Sequence, residues 1–217
     1  MGLSGFGSSE NSSDKAWDSF WQERGEPVYS WAKRRMINIL GQYAGPGMHV
    51  LDAGCGSGFF SSYFITRGCD VYSMDYSDRA LSIARRVTKN KAKAYIKADI
   101  LRKALDIKFD IIFTDGLLEH YSPEEQDIIV LNMKAMKKDK GFLINFAPNK
   151  RSLWSAVRPF CMNIRERPFT FEDFIRLHLG HGLDVVSSGG INVLPFWISP
   201  ERLLGRQFGM LFYCVAI

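Results

Sequence analysis

Short apolar runs alternate along this chain with longer stretches in which apolar residues recur every three or four positions. The runs are typical of buried parallel strands, and the stretches are typical of helices that cover a sheet. The predicted strands end at Asp52 or cover Asp70–Met74, Ala94–Lys97, Phe109–Thr114, Gly141–Phe146, Leu183–Val186 and Met210–Ile217. The predicted helices between them cover Phe59–Thr66, Ser77–Asn90, Pro123–Lys138 and Thr170–Gly180. This order predicts an α/β fold with a doubly wound parallel sheet that binds ligands at the carboxyl ends of its strands.

The chain length of 217 residues suits one hydrophobic core. We expect a flexible leader rich in Gly and Ser over residues 1–13 and a single domain over residues 14–217. Residues 14–45 are predicted to form a helical cap, with two apolar-striped helices separated by Gly25 and Pro27. Residues 147–169 and 190–208 contain prolines and aromatics in place of a regular pattern, which predicts lid or acceptor-binding segments.

Candidate chemistry begins at residues 50–58, VLDAGCGSG, where an apolar strand ends in an acid and runs into three glycines. Gly54, Gly56 and Gly58 allow a tight turn and a close approach of the backbone to a ligand. A dinucleotide-binding loop would need another glycine where Phe59 stands, and Asp52 would face its pyrophosphate. The loop therefore favours a cationic cofactor that has no phosphate.

Residues 50–58 resemble the first motif of the class I S-adenosylmethionine-dependent methyltransferases, VLDxGCGxG. The later motifs of that family match DYSDRALSIAR at Asp75–Arg85, KADI at Lys97–Ile100 and FDIIFTDGLLEH at Phe109–His120. The resemblance is detailed from about Met48 to Phe146. It implies a Rossmann-like, seven-stranded, mostly parallel sheet whose last strand runs antiparallel, with helices added at the N-terminus.

The resemblance also implies S-adenosylmethionine as cofactor and S-adenosylhomocysteine as product. In the family, an acid matching Asp75 accepts hydrogen bonds from both ribose hydroxyls, and one matching Asp99 accepts from the adenine amino group. The implied cofactor-binding residues are Asp52, Ala53, Gly54, Cys55, Gly56, Gly58, Asp75, Tyr76, Asp99, Ile100, Asp115 and Gly116. Taken singly, Asp75 is also explained as a helix cap and Asp99 as a surface acid. Cys55 is interpreted as a small buried residue and not as a nucleophile.

His120 is the candidate general base, because it follows the fourth strand in a GLLEH segment that resembles the quinone-biosynthesis O-methyltransferases. The alternative is a helix-terminal histidine that hydrogen-bonds the backbone. Asp115, Glu119 and His120 also suggest a metal site, but Gly116 stands where such enzymes supply another acid, so no metal is predicted. We interpret His178 and His181 as cap or surface residues.

Composition and charge indicate the class of protein, its possible partners and its compartment. An apolar fraction of 46% and a charged fraction of 24% are ordinary globular values, and no apolar run in the sequence approaches the ~20 residues of a membrane helix. The net charge of +5 comes from separated Lys and Arg residues and favours a solvated surface over attraction of an anionic substrate, a nucleic acid or an anionic membrane. Four cysteines without CxxC spacing argue against disulfides and zinc and suit the cytoplasm.

The sequence therefore predicts a cytoplasmic methyltransferase that acts on an apolar or anionic small molecule, with O-methylation ahead of C- and N-methylation. A nucleic-acid partner is not favoured. Aromatic residues of the variable segments form either an acceptor pocket or the core of the added helices, namely Trp17, Phe20, Trp21, Tyr29, Trp31, Trp154, Phe160, Phe196 and Trp197. Arg158, Arg165 and Arg167 are candidate ligands of an acceptor anion. The alternatives are an RNA or protein methyltransferase and a catalytically silent cofactor-binding module, and neither the acceptor nor the oligomeric state follows from the sequence.

Overall fold

The computed structural model describes residues 17–22, 29–102, 105–157 and 166–217. The predicted leader and residues 158–165, with Arg158, Phe160 and Arg165, lie outside these ranges. The division into leader, cap and lid segments therefore stays a prediction.

Within the described residues, the strands form one seven-stranded sheet in the order β3-β2-β1-β4-β5-β7-β6. β7 runs antiparallel to both of its neighbours, and every other pairing is parallel, as expected. The strands are β1 His49–Ala53, β2 Asp70–Asp75, β3 Ala94–Lys97, β4 Phe109–Asp115, β5 Lys137–Pro148, β6 Val185–Ile191 and β7 Leu211–Ala216. β1 lies between β2 and β4, so the chain reverses its direction of winding there, and ligands bind at such a point in open α/β sheets.

Helices cover both faces of this sheet. Residues 17–22 are helical and are called α1. The remaining helices are α2 Trp31–Leu40, α3 Phe59–Thr66, α4 Asp78–Val87, α5 Pro123–Met136, α6 Leu153–Val157, α7 Phe171–Leu179 and α8 Glu201–Phe208, with a short 3₁₀ helix at Leu118–His120.

Successive strand residues pack into different cores, because neighbouring side chains of a strand point to opposite faces. Val50 and Ile111 pack with α2 and α3, whereas Leu51 and Ile112 pack with α5 and α7. Each of these four side chains is fully buried. The strands therefore appear in the sequence as continuous apolar runs, which is the pattern that predicted a covered parallel sheet.

Capping residues fix the starts of the predicted helices. The Ser77 hydroxyl accepts the backbone N–H of Ala80 at the start of α4, as predicted. α5 begins with a capping box in which Ser122 and Glu125 exchange hydrogen bonds, followed by Pro123 in the first turn. These local signals explain why both helices begin where the sequence predicted.

The C-terminal third differs from the sequence prediction. β5 begins at Lys137, where a helix was predicted to continue, because Lys137 pairs with Phe109 of β4. β6 covers Val185–Ile191, which is later than predicted and includes two glycines, since β7 supplies its partner. The helices α6 and α8 were not predicted at all.

Candidate functional site

The glycine loop and the acids at the strand ends meet at the carboxyl edge of the sheet. Gly54, Gly56 and Gly58 have φ values of 72°, 49° and 73°, a region that only glycine adopts without strain. The backbone N–H groups of Gly54 and Cys55 donate to the carbonyl of Met74 at 2.8 and 2.9 Å. The loop is thus anchored to β2 and folds over the ends of β1 and β2.

Asp75, at the end of β2, is held by the loop that it faces. Its Oδ2 accepts the backbone N–H of Gly56 at 2.9 Å, and its Oδ1 accepts that of Ser77 at 2.9 Å. Burial raises the pKa of this carboxyl, and backbone N–H groups of Ser77, Gly56 and Tyr76 oppose that effect. Each oxygen keeps acceptor capacity for a further donor.

Asp52, at the end of β1, is 2% exposed. The Ser61 hydroxyl donates to its Oδ2 at 2.6 Å and lies 2.8 Å from the Ser73 hydroxyl. Burial raises the pKa of Asp52 to about 7, against the lowering effect of the Ser61 bond and with a further rise from Asp115. A cation bound beside Asp52 would favour its ionised form.

A cavity of about 440 Å³ opens between these groups and α1. The residues lining it are Trp17, Trp21, Ser30, Lys33, Asp52, Gly54, Cys55, Gly56, Ser57, Phe59, Phe60, Met74, Asp75, Tyr76, Ala98, Asp99, Ile100, Asp115, Gly116, Leu117, His120 and Tyr121. Among the described residues, four carboxyl groups and one lysine therefore line it. Such a cavity disfavours a phosphate and suits a ligand that carries a sulfonium and an ammonium, so the residues present fit S-adenosylmethionine.

Two of the residues predicted to bind cofactor do not line the cavity. Ala53 is fully buried in the core between the sheet and α5. Gly58 begins α3 against α4, where an added Cβ would lie 2.7 Å from the Cα of Ala84. In the structure Ala53 contributes to the core and Gly58 to the packing of two helices, and their assignment to the cofactor stays a prediction. The other ten predicted cofactor positions and His120 line the cavity.

Asp99 and Ile100 lie on the far wall of the cavity. Asp99 Oδ1 accepts the backbone N–H of Leu101 at 2.9 Å, and its Oδ2 lies 3.4 Å from Nε of Arg102. Ile100 is 3% exposed and packs into the main core. Asp99 thus stabilises its own turn, as a surface acid would, while it also faces the cavity.

His120 ends the short 3₁₀ helix and faces the cavity beneath α1. The Trp17 ring meets the imidazole edge-on, with centroids 4.8 Å apart. Nε2 of His120 lies 3.9 Å from Oε1 of Glu166. Both side chains are nearly buried, at 9% and 8% exposure, so the carboxylate acts on the imidazole in a weakly screened environment.

Sequence reasoning did not identify Glu166. The residue lies 46 positions after His120, beyond a segment without a regular pattern. The backbone N–H of Arg167 donates to the Glu119 carbonyl at 2.7 Å, and this contact brings Glu166 to the site. No local signal in the sequence points to it.

Glu119, His120 and Glu166 form what we call the His120 cluster. Each offers a potential metal-ligating atom, and these atoms lie within 4.8 Å of one another. Asp115, which the sequence grouped with Glu119 and His120, is not part of this cluster among the described residues. The prediction that the site uses no metal stays a prediction.

The N-terminal helix α1 covers the site. A Cβ added to Gly56 would lie 2.4 Å from the Trp21 ring, so that ring rests directly on the glycine loop. Asp18 accepts a hydrogen bond from the Ser77 hydroxyl. Trp17 and Trp21 therefore line the cavity, which favours the pocket alternative over the core alternative for these two aromatics.

α2 contributes Lys33, a lining residue that sequence reasoning missed. Burial lowers its pKa, and the nearby Asp115 carboxylate opposes that effect. A lysine within the first turn of a predicted amphipathic helix gives no sign that it faces a ligand site.

His178 is neither a cap nor a surface residue, which corrects the sequence interpretation. It is fully buried between the carbonyl of Phe174, 2.8 Å from Nδ1, and Nδ2 of Asn145, 2.7 Å from Nε2. Burial lowers its pKa to about 4, so the ring is neutral at pH 7. Oδ1 of Asn145 accepts from the Thr114 hydroxyl at 2.7 Å, which completes a buried polar chain behind β4.

Other predicted residues lie elsewhere. No residue of 190–208 lines the cavity, and Phe196 and Trp197 are exposed. Arg167 lines a separate cleft beside α5 and α7. Cys55 is buried, and burial raises the pKa of its thiol well above the ordinary value, which agrees with its interpretation as a small buried residue. Among the described residues, no helix is long and apolar enough to span a bilayer.

Comparison with known proteins agrees with this geometry. A family model described as a methyltransferase domain matches residues 44–168. The malonyl-[acyl-carrier protein] O-methyltransferase of Enterobacter lignolyticus is 33% identical over 115 residues, which are 50% of this chain and 44% of that protein. The ubiquinone biosynthesis O-methyltransferase of Hahella chejuensis is 28% identical over 132 residues, 59% of this chain and 54% of that protein. The chain thus spans only part of the length of these curated relatives.

Solved structures share the fold. The N-methyltransferase NodS from Bradyrhizobium japonicum with S-adenosylhomocysteine has a TM-score of 0.65 at 18% identity, covering 95% of this chain and 96% of that one. The magnesium protoporphyrin IX methyltransferase from Synechocystis with the same ligand has a TM-score of 0.64 at 16% identity, covering 94% and 93%. With the family match over more than half of its length, the chain belongs to the class I S-adenosylmethionine-dependent methyltransferases.

Proposed function

We propose that this protein transfers a methyl group from S-adenosylmethionine to a small-molecule acceptor, with oxygen as the preferred nucleophile. The observation that carries the proposal is a single cavity in which the four strand-end carboxyls and the imidazole of His120 face the same space. The carboxyls suit a cationic cofactor, and the imidazole supplies a proton acceptor beside that cofactor.

The roles of the carboxyls follow from their positions. Asp75 would bind the ribose diol, because each of its oxygens already accepts one backbone N–H and has capacity for another donor. Asp99, with Tyr76 and Ile100, would hold the adenine. Asp52 and Asp115 would face the charged methionine end. Bound there, the cofactor supplies an electrophilic methyl group, so the protein has only to orient the acceptor, exclude water and accept a proton.

His120 would accept the acceptor's proton. Glu166 would stabilise the resulting imidazolium from 3.9 Å, and the Trp17 ring packs edge-on against the imidazole. The helix α1 covers part of this space through Trp17 and Trp21, and a bound acceptor would complete the exclusion of water that strengthens the interaction of charges inside. This arrangement suits a hydroxyl acceptor such as a phenol, whose proton has to be removed as the methyl group is transferred.

The size and enclosure of the cavity support a small acceptor. A volume of about 440 Å³ lies in the lower part of the range of ligand pockets, ~300–1,000 Å³, and the cofactor must share it. The relatives that are named as O-methyltransferases include enzymes for malonyl-[acyl-carrier protein] and for magnesium protoporphyrin, which supports oxygen as the nucleophile. A human relative, the eEF1A lysine and N-terminal methyltransferase, is 23% identical. Because of this relative, a protein acceptor is the alternative to a small molecule.

We also propose a cytoplasmic location. The described cysteines Cys55, Cys69 and Cys214 are buried free thiols, which suit a reducing compartment.

Two measurements test this function. Calorimetric titration with S-adenosylmethionine and S-adenosylhomocysteine, with NADH as control, should give saturable binding of the adenosyl ligands alone. A screen of phenols, carboxylic acids, amines, RNA and whole-cell protein with methyl-labelled cofactor should then label a small oxygen acceptor. If neither adenosyl ligand bound, the assignment of S-adenosylmethionine as cofactor would be wrong. If only RNA or protein were labelled, the proposal of a small-molecule acceptor would be wrong.

A further inference from the structure

One surface of the protein exposes an unusual amount of apolar side chain. Seven large apolar side chains that are at least 38% exposed lie within the 15 residues 194–208, namely Leu194, Phe196, Trp197, Ile198, Leu203, Leu204 and Phe208. We call these seven the apolar patch. Trp197 is 77% exposed and Leu203 is 83% exposed, so these side chains project outward instead of closing a core. Clusters of this kind mark interaction sites on soluble proteins.

The helix in this patch turns its apolar side outward. α8 contacts β6 through glycine, since a Cβ added to Gly190 would lie 1.8 Å from the Gly205 carbonyl oxygen. Leu203, Leu204 and Phe208 of the same helix are exposed. A helix that served only to cover the sheet would place these side chains on β6, so the outward arrangement points to a partner.

The segment before α8 is held in place by α2. Nη1 of Arg35 donates to Oδ1 of Asn192 at 2.7 Å, and its Nη2 donates to the carbonyl of Phe196. Nε of Arg35 lies 2.6 Å from Oε1 of Glu201, which also accepts the backbone N–H of Asn192 at 3.1 Å. The arginine and glutamate side chains are only 14% and 24% exposed. A partly buried ionic network therefore presents Phe196 and its neighbours to solvent in a fixed conformation.

The charges around the patch are positive. Residues 192–217 contain Arg202, Arg206 and one acid, Glu201, which Arg35 neutralises. Residues 29–51 of the neighbouring segment contain no acid and, besides Arg35 and the cavity residue Lys33, one further positive charge at Arg34. Asn149 Nδ2 donates to the carbonyls of Gln207 and Gly209, which brings Lys150, Arg151 and the exposed Leu153 to the end of α8.

From this we propose that the apolar patch is a docking surface for an anionic lipid bilayer. Projecting Trp, Phe, Ile and Leu side chains enter the boundary between headgroups and acyl chains, where Trp is favoured, and the flanking arginines meet anionic headgroups. α2 links the two sites, because Ser30 and Lys33 line the cavity while Arg35 holds the patch.

Cosedimentation with lipid vesicles tests the proposal without cofactor, so its failure is separate from failure of the methyl-transfer proposal. The wild-type chain should bind vesicles of phosphatidylcholine mixed with phosphatidylglycerol, and bind vesicles of pure phosphatidylcholine at least about tenfold more weakly. The double variant Phe196→Ser/Trp197→Ser should lose at least about tenfold in binding to the mixed vesicles. Arg202→Gln/Arg206→Gln should reduce the preference for the anionic lipid.

Leu131→Ser is the matched control, because Leu131 is 51% exposed on α5, outside the patch, and its loss should leave vesicle binding unchanged. Circular dichroism and the thermal unfolding midpoint verify that each variant is folded, without any ligand. Wild-type protein that does not bind mixed vesicles, or a double variant that binds them equally, would overturn the proposal. Concentration-dependent self-association that the double variant abolishes would also overturn it, because the patch would then be covered by a second copy.

Discussion

Replacing Asp75 by Asn is the sharpest test of the cofactor site. The change keeps the size of the side chain and one acceptor oxygen, but it removes the charge and turns one oxygen into an N–H donor. In the structure that second position faces a backbone N–H, either of Gly56 or of Ser77, each 2.9 Å from its present acceptor. The amide therefore keeps one of the two loop contacts and has less capacity for a ligand hydroxyl.

The expected loss follows from counting acceptors. A carboxylate offers about four acceptor positions, so Asp75 keeps capacity for ribose hydroxyls beside the N–H groups of Gly56 and Ser77. Hydrogen bonds to a charged group contribute about 1.5–3 kcal/mol each, and the amide oxygen retains part of this. We expect Asp75→Asn to weaken cofactor binding by about 1–3 kcal/mol, which is roughly a 5- to 150-fold rise in Kd.

Calorimetric titration with S-adenosylhomocysteine measures this change directly. Asp78→Asn is the matched control, since Asp78 lies three positions later, is 70% exposed, and pairs with Lys97. Its variant should bind as the wild type does. Equal affinity of Asp75→Asn and wild type, with unchanged thermal stability, would remove Asp75 from the site and refute the assignment of the strand-end acids.

Four further predictions follow from the structure. His120→Asn should slow turnover by about 10²–10⁴-fold with little change in cofactor affinity, and Glu166→Gln should slow turnover less. Full activity of the His120 variant would rule out His120 as the general base. EDTA should leave turnover unchanged, whereas loss of activity that a divalent cation restores would make the His120 cluster a metal centre. Gly58→Ala should lower the free energy of unfolding by about 1–3 kcal/mol, because φ is +73° and the new Cβ would meet the backbone of α4. Gly45→Ala is the control, because Gly45 has open space around it. Equal unfolding midpoints of the two variants in urea would contradict this prediction. In the ligand-free protein, the raised pKa of Asp52 means that the folded state binds more protons than the unfolded state between pH ~4 and ~7. The free energy of unfolding of the wild type should therefore fall relative to that of Asp52→Asn as the pH rises through that window. A difference in the free energy of unfolding in urea that stays constant with pH would refute this prediction.

The sequence by itself determined the topology around the cofactor site. Apolar runs such as the one ending at Asp52 are continuous because both faces of the sheet are covered, and that pattern can be recognised without tertiary information. Caps such as Ser77 and the glycines of the loop act within a few residues, so local sequence was sufficient to find them. Ten of the twelve predicted cofactor positions therefore line one cavity.

Tertiary structure decided what depended on contacts distant in sequence. Glu166 reaches His120 through one backbone hydrogen bond to Glu119, and neither residue type nor spacing signals it. β6 forms across two glycines because β7 pairs with it, against local preference. The apolar residues of α8 face solvent because the helix contacts β6 through Gly205 and Gly190. The apolar pattern of the helix alone would predict the opposite orientation, with these side chains on the sheet. Local sequence thus encoded the cofactor-binding edge, whereas the acceptor side and the apolar patch arise from long-range packing.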